Sequence, residues 1–172
     1  MDPRYPIGKY EPQPFDNNLK ESWLYDIKYL PTDLEMAITN LDEYQLHTPY
    51  REGGWTVKQL VHHVADSHAN AYIRFKLGLT EDNPAVKPYD EKEWALLNDV
   101  QTVPINVSLT LLHAMHQRLY ATLKDITDEQ WHRTVFHPQH KEISLWVLLG
   151  MYSWHGKHHT AHITTLRQQN NW

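Results

Sequence analysis

The sequence contains no cysteine, and none of its apolar runs reaches the length of a membrane-spanning helix. Without cysteine, disulfides, cysteine-ligated zinc and a cysteine nucleophile are excluded, so any thiol chemistry needs a thiol supplied by a substrate. A spanning helix needs about 18 or more consecutive apolar residues, and the proline-rich N-terminus has no charged-then-apolar leader. We therefore expect a cytoplasmic protein with no membrane partner.

Basic clusters are missing as well. The chain has 16 Lys and Arg against 21 Asp and Glu, for a formal net charge of -5. Binding to nucleic acid or to an anionic membrane therefore has no electrostatic basis, and small soluble partners are expected. With 41% hydrophobic and 12% aromatic residues, the 172-residue chain can bury one sizeable core. This composition predicts a single domain over residues 1–172.

A convincing alternation of apolar and polar residues is also absent, although VPINV (103–107) and HRTVFH (132–137) could each form a few residues of β structure. Four stretches instead repeat apolar residues at three- and four-residue steps, which predicts four amphipathic helices. The first follows a proline-rich, extended arm at residues 1–16. It contains Pro31, where we expect a kink or a restart.

The second predicted helix begins near residue 57, because Thr56 and Gln59 have the spacing of a capping box. A connection over residues 79–105, with one short helix in DEKEWALLND, separates it from the third helix. The fourth helix is predicted over about residues 143–168. Short connections join antiparallel neighbours, whereas a long one indicates a crossover between non-adjacent or parallel helices. The predicted fold is all-α, an antiparallel four-helix bundle with a long crossover connection between helices two and three.

Histidine is the residue type in excess: the chain has 13, and four of them lie in the nine-residue stretch WHGKHHTAH. Advancing about 100° per residue places His155 and His159 on the buried face of the last helix, one turn apart. His158 falls on the outer flank and His162 at the edge of that face. Burying the first two without a shared partner would cost about 1–3 kcal/mol per unsatisfied nitrogen. Two imidazoles at i, i+4 can bind one metal ion, so the pair predicts a metal site.

A third ligand must come from another helix, and VHHVADSH on the second helix offers three histidines. Spacing alone favours His68, nearest the middle of the apolar stripe, whereas His62 and His63 lie on its two flanks. His116 faces the apolar stripe of the third helix, where it is a core histidine, a proton shuttle or a residue behind the ligands. Four further histidines are predicted at the surface or in loops: His113, His132, His137 and His140.

The segments PYREGGWTVKQLVHHVADSH and WHGKHHTAHITTLR resemble the DinB-like superfamily, specifically its bacillithiol S-transferase branch. YfiT-like members of that branch are also labelled metal-dependent hydrolases. The similarity runs through nearly the whole chain, from YPIG near its start. It implies an antiparallel four-helix bundle, a homodimer and one divalent metal held by three histidines. The first ligand lies eight residues after a motif tryptophan, here Trp55, so the resemblance implies His63 with His155 and His159, against the spacing preference for His68.

Three neutral imidazoles leave coordination positions open, which is typical of catalytic rather than structural zinc. The resemblance favours a transferase, in which a low-molecular-weight thiol such as bacillithiol binds the metal through sulfur and attacks a small electrophile. Zn²⁺ is the expected ion and Ni²⁺ the next, since all-nitrogen ligation suits both. One alternative is a hydrolase that uses a metal-bound water, with His116 or His162 as catalytic acid or base. Another is a non-catalytic metal-binding stress protein.

Overall fold

Four long helices account for most of residues 2–172, which the computed structural model describes. They are α1 (Asn17–Ile38), α3 (Val57–Thr80), α6 (Ile105–Leu123) and α8 (Leu145–Asn170). The connections contain four short helices, α2 (Glu43–Leu46), α4 (Glu91–Trp94), α5 (Asn98–Thr102) and α7 (Asp128–Trp131), and two strands, β1 (Thr134–His137) and β2 (Lys141–Ser144). The predicted all-α four-helix bundle is confirmed. Within residues 2–172, no helix is long and apolar enough to cross a membrane.

The helices follow one another around the bundle in the order α1, α6, α3, α8, because α1 and α3 each pack against both α6 and α8. Helices α1 and α8 run parallel. Trp23 packs on Trp146 near their N-terminal ends, and Arg167 donates to the carbonyl oxygen of Ala37 near their C-terminal ends. The pair α1 and α6 is antiparallel, as is the pair α3 and α8. The antiparallel packing predicted for the bundle is therefore present in these two pairs, whereas the other two neighbouring pairs are parallel.

Helices α3 and α6 are parallel neighbours. His62 contacts Ser108 near the start of both helices, and Arg118 lies over the ring of Tyr72 further along both. The 24 residues of α3 span roughly 36 Å at about 1.5 Å per residue. The chain must travel back over that length before it can begin α6. This requirement explains the long connection predicted between the second and third long helices.

Local sequence signals explain where several elements begin. Thr56 and Gln59 form the predicted capping box at the start of α3. Of the two possible β segments, HRTVFH does form a strand, which pairs antiparallel with β2 in the register Thr134↔Ser144. VPINV does not, because Pro104 precedes Ile105 at the start of α6, where its missing amide hydrogen costs no helical hydrogen bond.

Helix α1 passes through Pro31 without restarting, contrary to one of the two expectations. Proline has no amide hydrogen, so the carbonyl oxygen of Ile27 lacks its intrahelical donor. His116 of α6 takes that place, with Nδ1 at 2.5 Å from the Ile27 oxygen. A helix defect that would leave a buried carbonyl unsatisfied is thus compensated from a neighbouring helix.

Two apolar clusters make up the core, and a layer of histidines lies between them. One cluster contains Trp23, Phe75 and Leu145, and the other contains Leu34 and Leu60. The buried or half-buried histidines of the intervening layer are His63, His68, His116, His155 and His159. Imidazole groups in such a layer need partners, because the apolar clusters on either side offer none.

The N-terminal arm runs antiparallel along α8 and covers one of its faces. Three side chains of α8 contact backbone oxygens of the arm: Trp146 contacts Gln13, Trp154 contacts Gly8, and His162 contacts Arg4. The extended arm predicted over residues 1–16 is therefore packed against the bundle over residues 2–15.

Candidate metal centre

Three histidine side chains converge between α3 and α8. One ring nitrogen from each of His63, His155 and His159 lies within 4.8 Å of the other two. The antiparallel packing of α3 on α8 brings His63 opposite the i, i+4 pair, whose members lie one turn apart. The three residues predicted as ligands from the family resemblance are therefore neighbours in space.

The spacing of two of these nitrogens, from His63 and His155, fits a tetrahedral metal ion. Nε2 of His63 lies 3.3 Å from Nε2 of His155. Two imidazole nitrogens bonded to one tetrahedral zinc at about 2.05 Å would be roughly 3.3–3.4 Å apart. The pair can therefore hold a zinc-sized ion between the two rings.

All three imidazoles are neutral at pH 7. Burial lowers the pKa of His63 to about 4. Burial first, and neighbouring imidazoles second, hold the pKa values of His155 and His159 well below the usual range for histidine. Neutral imidazoles have a free nitrogen lone pair, so the donor set is available to a divalent cation without loss of a proton.

His68 stands behind His155 rather than beside the other two. Its Nε2 lies 3.3 Å from Nδ1 of His155, which is the ring nitrogen that does not face His63. The helical wheel ranked His68 first because it is central in the apolar stripe of α3. The centre of that stripe faces His116 of α6, whereas the converging nitrogens lie on the flank that faces α8.

The hydrogen bonds assign one consistent set of tautomers to this row of rings. If Nε2 of His155 faces an ion, its Nδ1 carries the hydrogen and donates it to Nε2 of His68. The hydrogen of neutral His68 is then on Nδ1. His116 donates from Nδ1 to the oxygen of Ile27, which leaves its Nε2 as an acceptor. The centroids of the His68 and His116 rings are 4.9 Å apart.

The two nitrogens without another partner, Nδ1 of His68 and Nε2 of His116, are thus one donor and one acceptor. His116, predicted as a core histidine, a residue behind the ligands or a catalytic acid or base, is fully buried and lies behind His68. His68, which it contacts, lies 3.3 Å from His155 of the candidate centre. Partners of this kind orient ligand rings and fix their tautomers.

A second group of histidines shares His159 with the first. His158, His159 and His162 also present ring nitrogens within 4.8 Å of one another. Nε2 of His162, the other predicted catalytic candidate, lies 3.3 Å from the carbonyl oxygen of Arg4, and its ring packs on Tyr50. Burial lowers the pKa of both His158 and His162 to about 4.

The position predicted for His158, on the outer flank of its helix, needs correction because its side chain is buried. Its ring stacks on Trp154 with centroids 4.4 Å apart and lies 6.0 Å from the ring of Tyr5. The N-terminal arm carries Tyr5 and covers this face of α8. A helical wheel represents one helix alone, so it cannot show that an arm more than 140 residues away in the sequence packs against that helix.

A cavity of about 240 Å³ opens beside His155. Tyr152 and Trp154 line it. His137 lines it as well, and its side chain is buried, which corrects its predicted surface position. The reason is the hairpin of β1 and β2, which folds over the start of α8.

Sequence reasoning missed further residues near the centre. Arg74 and Tyr89 line the cavity, and burial raises the pKa of Tyr89 to about 12. Asp66 follows His63 by three residues on α3, and burial, with a smaller effect of Asp99, raises its pKa to about 6. A single Asp or Arg carries no motif. The only available signal was their position on the helix that also provides His63.

Residues 27–163 match the model of the DinB superfamily. The chain belongs to the DinB superfamily. A protein of Bacillus cereus strain B4264 named "Putative metal-dependent hydrolase" is 50% identical over 172 residues, covering 99% of each chain. A relative of the same name from Bacillus anthracis strain CDC 684 is 49% identical with the same coverage.

Solved structures agree with this DinB assignment. YfiT from Bacillus subtilis, described as "a probable metal-dependent hydrolase with an unusual four-helix bundle topology", superposes with a TM-score of 0.96 at 46% identity. The match covers 100% of this chain and 99% of YfiT. Another four-helix bundle protein matches with a TM-score of 0.56 at 19% identity over 89% of this chain and 99% of its own, a likeness of fold alone. This protein therefore has the fold of a relative described as a probable metal-dependent hydrolase, and its own histidines could hold a metal ion.

Proposed function

We propose that this protein is a metal-dependent enzyme that joins a low-molecular-weight thiol, such as bacillithiol, to a small electrophile. One observation carries the proposal: three neutral imidazoles converge at the edge of a cavity that His155 borders. Because the converging group contains no carboxylate, the full positive charge of a divalent ion would be retained there. Such a centre attracts a thiolate more strongly than one with anionic protein ligands.

His63, His155 and His159 are the proposed ligands of one divalent ion, with zinc as the first choice and nickel as the second. The 3.3 Å separation of the His63 and His155 nitrogens supports zinc in tetrahedral coordination. When bound, the ion supplies the positive charge that keeps the sulfur of a thiol deprotonated at neutral pH. His68 supports the ligand set by accepting a hydrogen bond from Nδ1 of His155.

The cavity residues position the second reactant. Tyr152 and Trp154 provide apolar walls next to His155, where the reacting carbon can approach the thiol sulfur. One sulfur–carbon bond forms, the leaving group departs with the electrons of its bond to carbon, and the thiol proton passes to solvent. Holding both reactants in one small cavity is the main contribution of the chain to this step.

Metal-dependent hydrolysis is the second candidate, because it is the activity in the names of the relatives. A hydrolase needs a general base to take a proton from water, and the residues between His155 and His159 include no glutamate. Asp66 could serve, since a carboxyl group with a pKa near 6 is well matched to neutral pH. Asp66 follows His63 on the same helix, less than one turn away.

The two activities are separated by one assay series with zinc-loaded protein. The protein is incubated with bacillithiol and monochlorobimane, with and without a chelator, and the fluorescent conjugate is measured. Ester and amide substrates are tested in thiol-free buffer. We expect conjugate formation that the chelator abolishes, and no chelator-sensitive hydrolysis.

Failure to form a metal-dependent conjugate with any low-molecular-weight thiol would contradict the transferase. Chelator-sensitive turnover of an ester or amide without thiol would support the hydrolase. If both assays are negative while metal binds stoichiometrically, a non-catalytic metal-binding protein is the remaining explanation.

A further inference from the structure

Arg74 is a buried cation without a carboxylate partner. Its side chain extends from α3 into the cavity beside His155, and the residue is only 9% exposed. Nη1 donates to the hydroxyl oxygen of Tyr152 at 2.8 Å, and Nη2 donates to the carbonyl oxygen of Lys87 at 3.3 Å. Both acceptors are uncharged. Within residues 2–172, no acidic side chain forms an ion pair with Arg74, and its Nε is buried without an acceptor.

Burying the Arg74 guanidinium in this way costs folding free energy unless a group in the cavity offsets its charge. A buried guanidinium needs a counter-charge and acceptors for its donors, and here one of the three nitrogens has no acceptor and the whole charge has no counter-charge. Glu91 also lines the cavity but makes no ion pair with Arg74. The charge therefore points to an anionic group supplied by a ligand.

Tyr152 connects Arg74 with the candidate metal centre. Its hydroxyl accepts from Arg74, and its ring centroid lies 6.2 Å from that of His155. Because the hydroxyl oxygen accepts this hydrogen bond, its own hydrogen can be donated to a ligand. Arg74 and Tyr152 can thus each present a donor to the same anion. Of these two residues, Tyr152 lies next to His155, which is a ligand of the proposed ion.

We propose that Arg74, assisted by Tyr152, binds the carboxylate of a reactant whose reacting atom lies at the His63, His155 and His159 centre. The inference rests on the proposed function, and it specifies the substrate class as a small molecule that carries a carboxylate. The forked donors of arginine match the two oxygens of a carboxylate. At about 240 Å³, the cavity admits a small molecule rather than a peptide.

The carboxylate can belong to the thiol or to the electrophile, and two experimental arms distinguish these sources with zinc-loaded protein. In the thiol arm, calorimetry measures the Kd of 3-mercaptopropionate and of 2-mercaptoethanol. In the electrophile arm, initial rates give the KM of iodoacetate and of iodoacetamide with 2-mercaptoethanol as nucleophile. The chain has no cysteine that these reagents could alkylate.

In one arm we expect the carboxylate compound to have a Kd or KM about tenfold or more below that of its neutral counterpart, as a charge-assisted hydrogen bond provides. Arg74→Gln should reduce this ratio to nearly one, and Arg74→Lys, which keeps the charge but not the fork, should give an intermediate ratio. Lys92→Gln is the matched control. It removes one positive charge from an exposed side chain that directly follows the cavity residue Glu91, and should leave the ratio unchanged.

In the wild-type protein, equal Kd values for the two thiols together with equal KM values for the two electrophiles would overturn the carboxylate subsite. The subsite would also be overturned if Arg74→Gln melted like the wild type and kept the wild-type ratio. If that variant does not fold, the ratio of Arg74→Lys decides in the same way. A carboxylate preference in the binding arm without any conjugate would retain the subsite and refute the transferase. Conjugate formation without a carboxylate preference would retain the transferase and refute the subsite.

Discussion

Nδ1 of His116 hydrogen-bonds to the carbonyl oxygen of Ile27, an oxygen that is available only because Pro31 follows four residues later and has no amide hydrogen. A proline in one helix thereby fixes the tautomer of a histidine in another. The fixed tautomer leaves Nε2 of His116 as an acceptor, and the ring centroid of His116 lies 4.9 Å from that of His68, which in turn contacts His155. A backbone feature of α1 is thus connected to the candidate metal centre between α3 and α8.

The substitution Pro31→Ala tests this connection. Alanine at position 31 supplies an amide hydrogen to the Ile27 oxygen and competes with His116 for it. We expect His116 to lose its single tautomer in ¹⁵N–¹H NMR spectra of the metal-free protein, and the Kd for zinc to rise several-fold. Pro14→Ala, at an exposed position of the N-terminal arm, is the matched control and should change neither quantity. An unchanged His116 tautomer in Pro31→Ala would show that Pro31 has no such role.

Single histidine substitutions should distinguish the proposed metal ligands from the histidines next to them. His63→Ala should reduce zinc content from one ion per chain to nearly none, because two imidazoles alone hold zinc weakly. His68→Ala should still bind one zinc at saturation, with affinity reduced about 10–100-fold, as expected for a residue that orients a ligand. Metal analysis after dialysis and competition with a chelator measure the two effects.

His158→Ala is the control for the overlapping group of histidines, and we expect it to keep its zinc. Full metal content in His63→Ala together with loss in His68→Ala would refute the ligand assignment. Loss of metal in His158→Ala, but not in His63→Ala, would move the centre to His158, His159 and His162.

Acid should destabilise the metal-free protein through its buried histidines once the pH falls below about 6.5. Burial lowers the pKa of His116 to about 4 in the fold, whereas an unfolded histidine has a pKa near 6.5. The unfolded chain therefore binds more protons between these values, so stability is full above about pH 6.5 and declines as the pH falls toward 4. For His116 alone, the loss is about 3 kcal/mol over that interval.

Urea unfolding at pH 7, 6 and 5 in the presence of a chelator measures this decline. His116→Gln, whose amide can still donate to the Ile27 oxygen, should flatten the dependence on pH. The exposed His132→Gln should leave it unchanged. A free energy of unfolding that stays constant or increases from pH 7 to 5 would contradict the prediction.

Gly156 permits close packing of α8 on α1 within the stretch that contains His155 and His159. A Cβ atom at this position would lie 2.7 Å from Cδ1 and 2.8 Å from Cδ2 of Leu30. Gly156→Ala should therefore destabilise the protein by about 1–3 kcal/mol through overpacking. Because the displaced segment contains His155 and His159, zinc affinity should fall as well.

The double variant Gly156→Ala/Leu30→Ala provides the control, since it removes the clashing atoms. Its loss of stability should be smaller than the sum of the two single losses, as measured by urea unfolding. Additive losses would indicate that the Leu30 contact is not the cause.

By itself, the sequence determined what depends on neighbours along the chain. The apolar periodicity predicted the four long helices, and the Thr56 and Gln59 pair predicted where α3 begins. The spacing of His155 and His159 placed both rings on one side of α8. These features were predictable because helix geometry relates residues three and four apart in a known way.

Only the tertiary structure decided which groups from distant segments meet. It placed His63 beside the pair and His68 behind it, because the face of α3 toward α8 lies off the centre of its apolar stripe. It buried His158 under the arm, and brought His137 and Arg74 to one cavity. Periodicity shows that a face is covered but not what covers it, since that depends on the order and direction of helices around the bundle.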